Sequence, residues 1–344
     1  MAEEGGVGKR GTRRATTPMQ PISRKKHTPP YLQYTSPPRI VTLDPVAGPS
    51  GREGMVQVVF FSFGAVSLSY RWPIVEEDRL DLERLPLLGQ QLGELNLEVD
   101  ARLRIDRLVS EVGAAIVRPA ISPLVEDYYL FILQRLEPSI TAEEFIELHG
   151  RTLAQTLRFD TIPLSRTHVE EAISQRISYY ENDLVLIDWN ASIIIDRDFE
   201  DTVNVLELLN VELLEARYID ALLDGRIAGF SELARRRMEF PLPFRRPYKK
   251  AMREMAELRL ESVLLSERVQ NALKLVGDLY LARVHDAALR RFDLREWDQM
   301  IDRKLEIVTG LYELLSDRVY TVQSQTLEMI IVLLILVELF VAFT

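Results

Sequence analysis

The longest regular pattern of apolar positions lies near the end of the chain. From Ile301 to Phe340, mostly apolar residues recur at alternating steps of four and three, which is typical of a helix in coiled-coil packing. One helix cannot bury such a face alone, so we expect an antiparallel partner helix or a second copy of the chain to cover it. We call the predicted oligomer interface the heptad seam: Leu305, Val308, Tyr312, Leu315, Val319 and Val322.

The same pattern continues into a segment that is apolar on every side. Residues 327–343 contain two charged side chains, Glu328 and Glu338. A helix of this length spans about 25 Å, close to the ~30 Å hydrocarbon core of a bilayer, so we predict a transmembrane anchor. Because Thr344 alone follows, the anchor is expected to insert tail-first and leave the bulk of the chain in the cytoplasm. The residues predicted to lie in the membrane are Met329, Leu333, Leu336, Glu338 and Phe340.

Glu338 leaves three interpretations of this segment open. Its carboxylate lies near the far headgroups, or it is paired or protonated inside an oligomeric helix bundle. In the third interpretation, the whole segment is a buried helix of a soluble assembly. A charged and unpaired glutamate at depth in a membrane costs roughly 2–3 kcal/mol, which is why the partner of Glu338 decides among them.

A helical hairpin is predicted to precede the anchor. Residues 248–291 lack proline, and Phe292-Asp293 has the character of a turn that leads into the helix of the heptad seam. We therefore expect an antiparallel coiled-coil hairpin over residues 248–326. A proline-rich linker, residues 239–247, separates it from what comes before.

Residues 54–238 are predicted to form an α+β domain. Two β-rich runs around Gly64 indicate a hairpin, and Thr141 with Glu144 forms the capping box of a helix. Further predicted elements are short strands in 95–121, a buried strand at 127–133, a helix in 170–180, a hairpin over 183–195 and a helix over 199–224 ended by Gly225 and Gly229. Residues 1–53, rich in Gly, Pro, Ser and Thr, are predicted to be a disordered arm with basic clusters.

Composition narrows the chemistry that the chain can perform. The chain has no cysteine and four histidines, which excludes thiolate catalysis and disfavours a His-rich metal site. A net charge of −10 disfavours a broad nucleic-acid-binding surface. The weak metal candidates are Asp188, Asp196 and Asp198, but turn and helix-cap roles explain these carboxylates better. No cofactor and no catalytic residue is predicted.

Several stretches resemble a known family. They are residues 58–64, 177–180, 183–190 (Asp-Leu-Val-Leu-Ile-Asp-Trp-Asn), 206–218 and the run from Arg283 through residues 314–318 to the apolar end. Together they resemble the "required for meiotic nuclear division" (YagE-like) family of unknown molecular function over roughly residues 55–344. The resemblance implies a C-terminally membrane-attached protein without established enzyme activity. Its mitochondrial members are oligomers at the inner membrane that support translation, which makes that membrane the alternative location.

These observations predict a non-enzymatic, membrane-anchored scaffold that self-associates through its C-terminal hairpin, with membrane lipid, further copies of itself and an unknown protein as partners. The first alternative is an RNA- or ribosome-associated membrane factor that uses the basic stretches near residues 235–250 and the N-terminal arm. A metal-dependent enzyme is a weaker alternative. A CorA-like ion transporter is also weaker, because the second span and the Gly-Met-Asn turn of such channels are missing from the sequence.

Overall fold

A computed structural model describes the protein from residue 39 to residue 342. Its description leaves out residues 50, 62, 75–80, 113–119, 135, 137–139, 237–252, 255, 258–259 and 261–278. The strands are β1 (Arg39–Ala47), β2 (Glu53–Phe60), β3 (Val66–Arg71), β4 (Tyr129–Leu133), β5 (Gln175–Ile177), β6 (Leu184–Ile187) and β7 (Ala191–Ile195). The helices are α1 (Leu85–Glu94), α2 (Leu97–Val112), α3 (Ala142–Arg158), α4 (Arg166–Ala172), α5 (Glu200–Arg236), α6 (Leu279–Arg291) and α7 (Leu294–Ala342).

The first sheet is antiparallel, in the order β1-β2-β3. The predicted hairpin around Gly64 is confirmed, and this glycine has a φ of 115°, a conformation that other residues rarely adopt. Strand β1 lies inside the segment predicted to be a disordered arm, so that prediction is wrong for residues 39–47. The pairing of β1 with β2 stabilises a strand that composition alone does not reveal.

The second sheet has the order β4-β7-β6-β5. β4 runs parallel to β7, and the predicted hairpin of β6 and β7 is confirmed. Every residue of β6 and β7 is buried, as expected for continuous apolar strands covered on both faces. Helices α1 and α3 contribute to the core on one face, and α5 and α6 contribute to the core on the other.

Two helices differ from the sequence-based prediction. Residues 97–112 form α2 where short strands were favoured, and pairs at helical spacing stabilise it, including Arg102 with Glu98 (2.9 Å) and Arg104 with Asp100 (2.6 Å). Helix α4 ends at Ala172, and β5 takes up part of the stretch predicted to be helical to residue 180.

The predicted start of α3 is correct, whereas the predicted end of α5 is not. The capping box of α3 is confirmed, because Thr141 accepts from the Glu144 backbone and the Glu144 carboxylate accepts from the Thr141 backbone. Helix α5 continues past Gly225 and Gly229 to Arg236, so the predicted end near residue 224 is wrong. Packing against α7 outweighs the low helix propensity of two glycines.

The C-terminal region is helical. The chain turns at Phe292 and Asp293, between α6 and α7, as predicted. Ile301 and the seam residues Leu305 and Val308 pack against Ala216, Ile219 and Leu223 of α5. In the described part of the chain, this start of the heptad seam is therefore covered by α5. Most of the first arm of the predicted hairpin, up to residue 278, lies outside the described residues.

Helices α5 and α7 run parallel. Near the start of α7, the charge of Asp298 raises the pKa of Glu212 on α5. Further along both helices, the Lys304 ammonium lies 2.6 Å from Asp220 and 2.7 Å from Asp224. Later residues of α7 therefore meet later residues of α5. Arg236, the last residue of α5, comes about 24 residues after Glu212. The same number of residues after Asp298 leads to residue 322 of α7, so α5 runs beside α7 up to about that residue. The last ~20 residues of α7, about 30 Å of helix, extend past the end of α5.

The projecting end of α7 exposes large apolar side chains. Met329, Leu333 and Leu336 are each about 60% exposed, and Glu338 is exposed too. The side chains of Leu315, Val319, Val322 and Phe340 are outside the description, and Tyr312 is exposed. Among the helices of the described residues, none has the length and hydropathy needed to cross a membrane.

Candidate functional site

Four charged residues from separate elements meet at the β6–β7 turn. We call Arg158, Glu171, Asp188 and Arg291 the arginine–aspartate cluster. The Asp188 carboxylate is fully buried, with Arg158 Nε 2.6 Å from Oδ2 and Arg291 Nε 2.6 Å from Oδ1. The Arg291 contact is a hydrogen bond, whereas Arg158 lies at ion-pair distance without hydrogen-bond geometry. Glu171 lies 3.4 Å from Arg158 and 3.7 Å from Arg291, so it balances the second positive charge.

The local sequence explains how these residues come together. Asp188 follows β6 directly, and its backbone N–H donates to Ala191 across the tight turn. Arg158 is the last residue of α3, which ends where Phe159 adopts a left-handed conformation, and Arg291 is the last residue of α6. Cations at helix C-termini are favoured by the helix dipole. Two helix ends therefore deliver two guanidinium groups to one buried carboxylate.

Neighbouring groups support the same turn. The Tyr128 hydroxyl lies 2.9 Å from the Asp188 carbonyl oxygen, to which it donates, and 2.6 Å from Ser192 Oγ. Burial raises the pKa of this hydroxyl, so it stays protonated. The charge of Arg158, followed by that of Arg291, lowers the pKa of Glu171. The cluster is thus a charge network that joins the sheet to three helices.

The metal candidates Asp188, Asp196 and Asp198 do not converge. Asp188 and Asp196 lie at opposite ends of β7, roughly 17 Å apart for a five-residue strand. Asp196 accepts a hydrogen bond from the Asp198 backbone N–H in the turn before α5. The residues that the structure describes contain no group of three side chains able to hold a metal ion. The arginines around Asp188 further oppose cation binding.

Two glutamates on α5, the half-buried Glu212 and the buried Glu215, were missed by the sequence-based reasoning. Burial raises the pKa of Glu212 and of Glu215 to about 8 in each case, and the charges of Asp298 and Glu212, respectively, add to the effect. Glu215 is 7% exposed, and its Oε2 has no hydrogen-bond partner among the described residues. The sequence carried one signal, which is two acids three residues apart within an otherwise apolar stretch of a long helix.

A large cleft lies between the two sheets. It has a volume of about 2490 Å³ and is lined mainly by apolar side chains of β3, α2, β4 and α5. Glu207 lies at its wall, and burial raises the pKa of this carboxyl. Small-molecule pockets usually have volumes of ~300–1,000 Å³, so the cleft is larger than a site shaped for one small ligand.

This is a mixed α/β protein with two sheets and a helical C-terminal region. The chain belongs to the family described as "Uncharacterized protein MJ0711, N-terminal domain", whose model matches residues 8–202. That range ends just after α5 begins, so the family covers both sheets.

Two curated proteins are similar in sequence to this chain. The uncharacterized protein MJ0711 of Methanocaldococcus jannaschii is 26% identical over 202 residues, which are 58% of this chain and 61% of that protein. The mRNA cleavage and polyadenylation factor CLP1 of Eremothecium gossypii is 30% identical over 115 residues, which are 31% of this chain and 26% of that protein. The chain thus spans less than two thirds of the length of either relative. No solved structure matches it.

Proposed function

We propose that this protein is a non-enzymatic scaffold that self-associates through α7 and is held at a membrane by the apolar end of that helix. The observation that carries the proposal is the exposed apolar surface of α7, which begins where α5 stops covering the helix. In water such a surface is costly at roughly 25 cal/mol per Å² of apolar area. Lipid, or further copies of the same helix, would remove it from water.

The heptad seam supports self-association. Leu305 and Val308 are covered by α5, but Tyr312, one heptad step further on, is 37% exposed, and Leu314 beside it is 43% exposed. In the sequence, the pattern of four- and three-residue spacings continues through residues 315–322. A second α7 lying along the seam would bury these positions in coiled-coil fashion. The resemblance to the "required for meiotic nuclear division" family agrees with an oligomer at a membrane.

The length and apolar character of residues 327–342 support the second part of the proposal, which is attachment to a membrane. The apolar end of α7 is about 25 Å long, close to the ~30 Å thickness of a hydrocarbon core. The bulk of the protein would then lie in the cytoplasm, and the mitochondrial inner membrane is the alternative location. In this arrangement, Glu338 needs a partner, and a neighbouring copy of the helix is the simplest source.

Carbonate washing of membranes from cells that express the full-length chain tests this proposal. We expect the wild type in the pellet. The double variant Leu333→Arg, Leu336→Arg should move to the supernatant, because two guanidinium groups at depth cost several kcal/mol. Ile307→Arg, which also adds a guanidinium group to α7 but at a half-exposed position far from the apolar end, should stay in the pellet. Wild-type protein in the supernatant would overturn membrane attachment.

A further inference from the structure

A second feature of the surface, a groove beside the edge of the second sheet, is independent of α7. Strand β5 is the end strand of its sheet, and α6 packs against it. The groove between them has a volume of about 350 Å³. Its charged lining residues are Arg176 on β5 and Arg283, Asp286 and Arg290 on α6. It lies at the lower end of the size range of small-ligand sites.

The groove is positively charged in a protein with a net charge of −10. Arg290 donates to the Gln175 side chain at 3.3 Å, which holds it against β5. Arg176 and Arg283 are exposed, and neither has an ion pair within the described residues. Among the described residues of the lining, Asp286 is the one carboxylate, and it lies 3.4 Å from His285 on the same helix. Three guanidinium groups against one carboxylate leave the groove with an unsatisfied preference for an anion.

Exposed aromatic rings continue the groove at one end. Tyr179 is 58% exposed and Tyr180 is 68% exposed, and their rings pack edge-to-face with centroids 4.8 Å apart. Tyr179 also packs against Tyr280, which lies one helical turn before Arg283 on α6 (centroids 5.9 Å apart). Two exposed aromatic rings side by side next to a cationic groove offer a face on which a planar ligand can stack.

The backbone beneath these tyrosines is fixed before any ligand arrives. The Asp183 carboxylate accepts hydrogen bonds from the backbone N–H groups of Tyr179 at 2.7 Å and Tyr180 at 3.0 Å. Ser178, which lines the groove, donates to the same carboxylate at 3.0 Å. The backbone that carries the two rings is therefore held in place just after β5, the strand that carries Arg176. A preorganised site loses less entropy on binding.

We propose that this groove binds a nucleotide, either free or as a unit of a short single-stranded RNA. The guanidinium groups of Arg176 and Arg283 would hold a phosphate through paired N–H donors. The exposed ring of Tyr180 would stack on the base, which contributes ~1–3 kcal/mol per base in single-strand binding sites. A lipid headgroup fits less well, since the apolar end of α7 begins about 50 Å along that helix from the turn that joins it to α6.

Calorimetric titration of the full-length protein tests the proposal. The probes are AMP, an eight-residue oligouridylate, inorganic phosphate, and phosphatidylinositol-phosphate vesicles. We expect AMP or the oligonucleotide to bind, and binding to weaken at least tenfold in Arg283→Ala and in Arg176→Ala. Tyr180→Ala should weaken nucleotide binding without changing the response to inorganic phosphate. Arg303→Ala removes one exposed arginine from α7 and should leave binding unchanged.

Three results would overturn the proposal. The first is no binding of AMP or oligouridylate at millimolar concentration. The second is binding that Arg176→Ala and Arg283→Ala leave intact. The third is binding of inorganic phosphate or of vesicles that equals nucleotide binding and does not depend on Tyr180. Membrane attachment and self-association of α7 are measured separately, so they stand or fall without affecting this result.

Discussion

Asp188 shows how a residue with the sequence features of a turn becomes the centre of a charge network. Its place after β6 follows from local sequence, because a polar residue ends an apolar strand. Its partners do not follow, since Arg158 and Arg291 are far away in the sequence and reach Asp188 through the ends of two helices. Sequence patterns therefore located the turn but not the ion pairs that bury its carboxylate.

Replacing Asp188 with Asn should destabilise the fold strongly. The change keeps the shape of the side chain but leaves Arg158 and Arg291 without a buried counter-charge, which typically costs about 3–5 kcal/mol for a buried pair. Urea denaturation monitored by circular dichroism measures the loss. Asp196→Asn is the matched control, because that carboxylate accepts a backbone hydrogen bond in a surface turn and should cost less than about 1 kcal/mol. Equal losses in both variants would contradict the role of the cluster.

Glu215 should make stability fall as the pH rises. Its pKa is about 8 in the folded protein and near 4.5 when unfolded, so the folded state holds a proton that the unfolded state has already released between these values. The free energy of unfolding therefore decreases from pH 4.5 to pH 8 and levels off above that. Glu215→Gln, which is always neutral, should be more stable than wild type, by a margin that grows by roughly 1–2 kcal/mol from pH 6 to pH 8.

Melting temperatures of both proteins across this pH range measure that margin. Glu306→Gln, a change of the same kind at an exposed position on α7, is the control and should follow wild type at every pH. A constant difference between Glu215→Gln and wild type would show that the buried carboxyl is already ionised in the folded protein.

At the scale of elements, Trp72 joins the two edges of the first sheet. Its indole N–H donates to the Val46 carbonyl oxygen at 3.0 Å, and its ring stacks on Tyr70 with centroids 5.6 Å apart. Two glycines make room for the ring, since a Cβ on Gly54 would lie 2.2 Å from Trp72 and one on Gly48 would lie 2.4 Å away. The sheet therefore depends on glycine at Gly54 for packing rather than for backbone conformation.

Gly54→Ala should accordingly destabilise the protein by about 1–3 kcal/mol, the usual cost of overpacking. Tryptophan fluorescence during denaturation reports both the displacement of Trp72 and the loss of stability. Gly310→Ala serves as the control with the opposite sign, because nothing lies within 4 Å of its added Cβ and alanine is favoured in a helix interior by up to about 1 kcal/mol. A neutral Gly54→Ala would show that Trp72 can leave its place freely.

Elements that are determined by adjacent residues could be predicted from the sequence, whereas elements that depend on distant contacts could not. The capping box at Thr141, the hairpin at Gly64 and the turn at Phe292 are determined by adjacent residues, and all three were predicted. Residues 97–112 were not, because the helix is stabilised by spaced ion pairs on a mixed surface rather than by a clear apolar face. Strand β1 was missed for a related reason, since it depends on pairing with β2.

The whole molecule combines a sheet-based body with a helix longer than the body can cover. Helix α5 covers the start of α7, including Leu305 and Val308, and ends well before α7 does. The heptad pattern nevertheless continues past that point. The length of α7 relative to α5 was not predictable, since the expected end of α5 near residue 224 was wrong. This mismatch is why self-association is the central claim of the proposed function.

Sedimentation equilibrium of the full-length protein in detergent at micromolar concentration tests that claim most directly. We predict a mass at least twice that of the 39.6 kDa chain. Tyr312→Arg, which places a charge in the exposed part of the heptad seam, should shift the protein toward monomer, whereas Glu306→Arg, outside the seam, should not. A wild-type protein that sediments as a monomer, or a Tyr312→Arg variant as associated as wild type, would contradict the account.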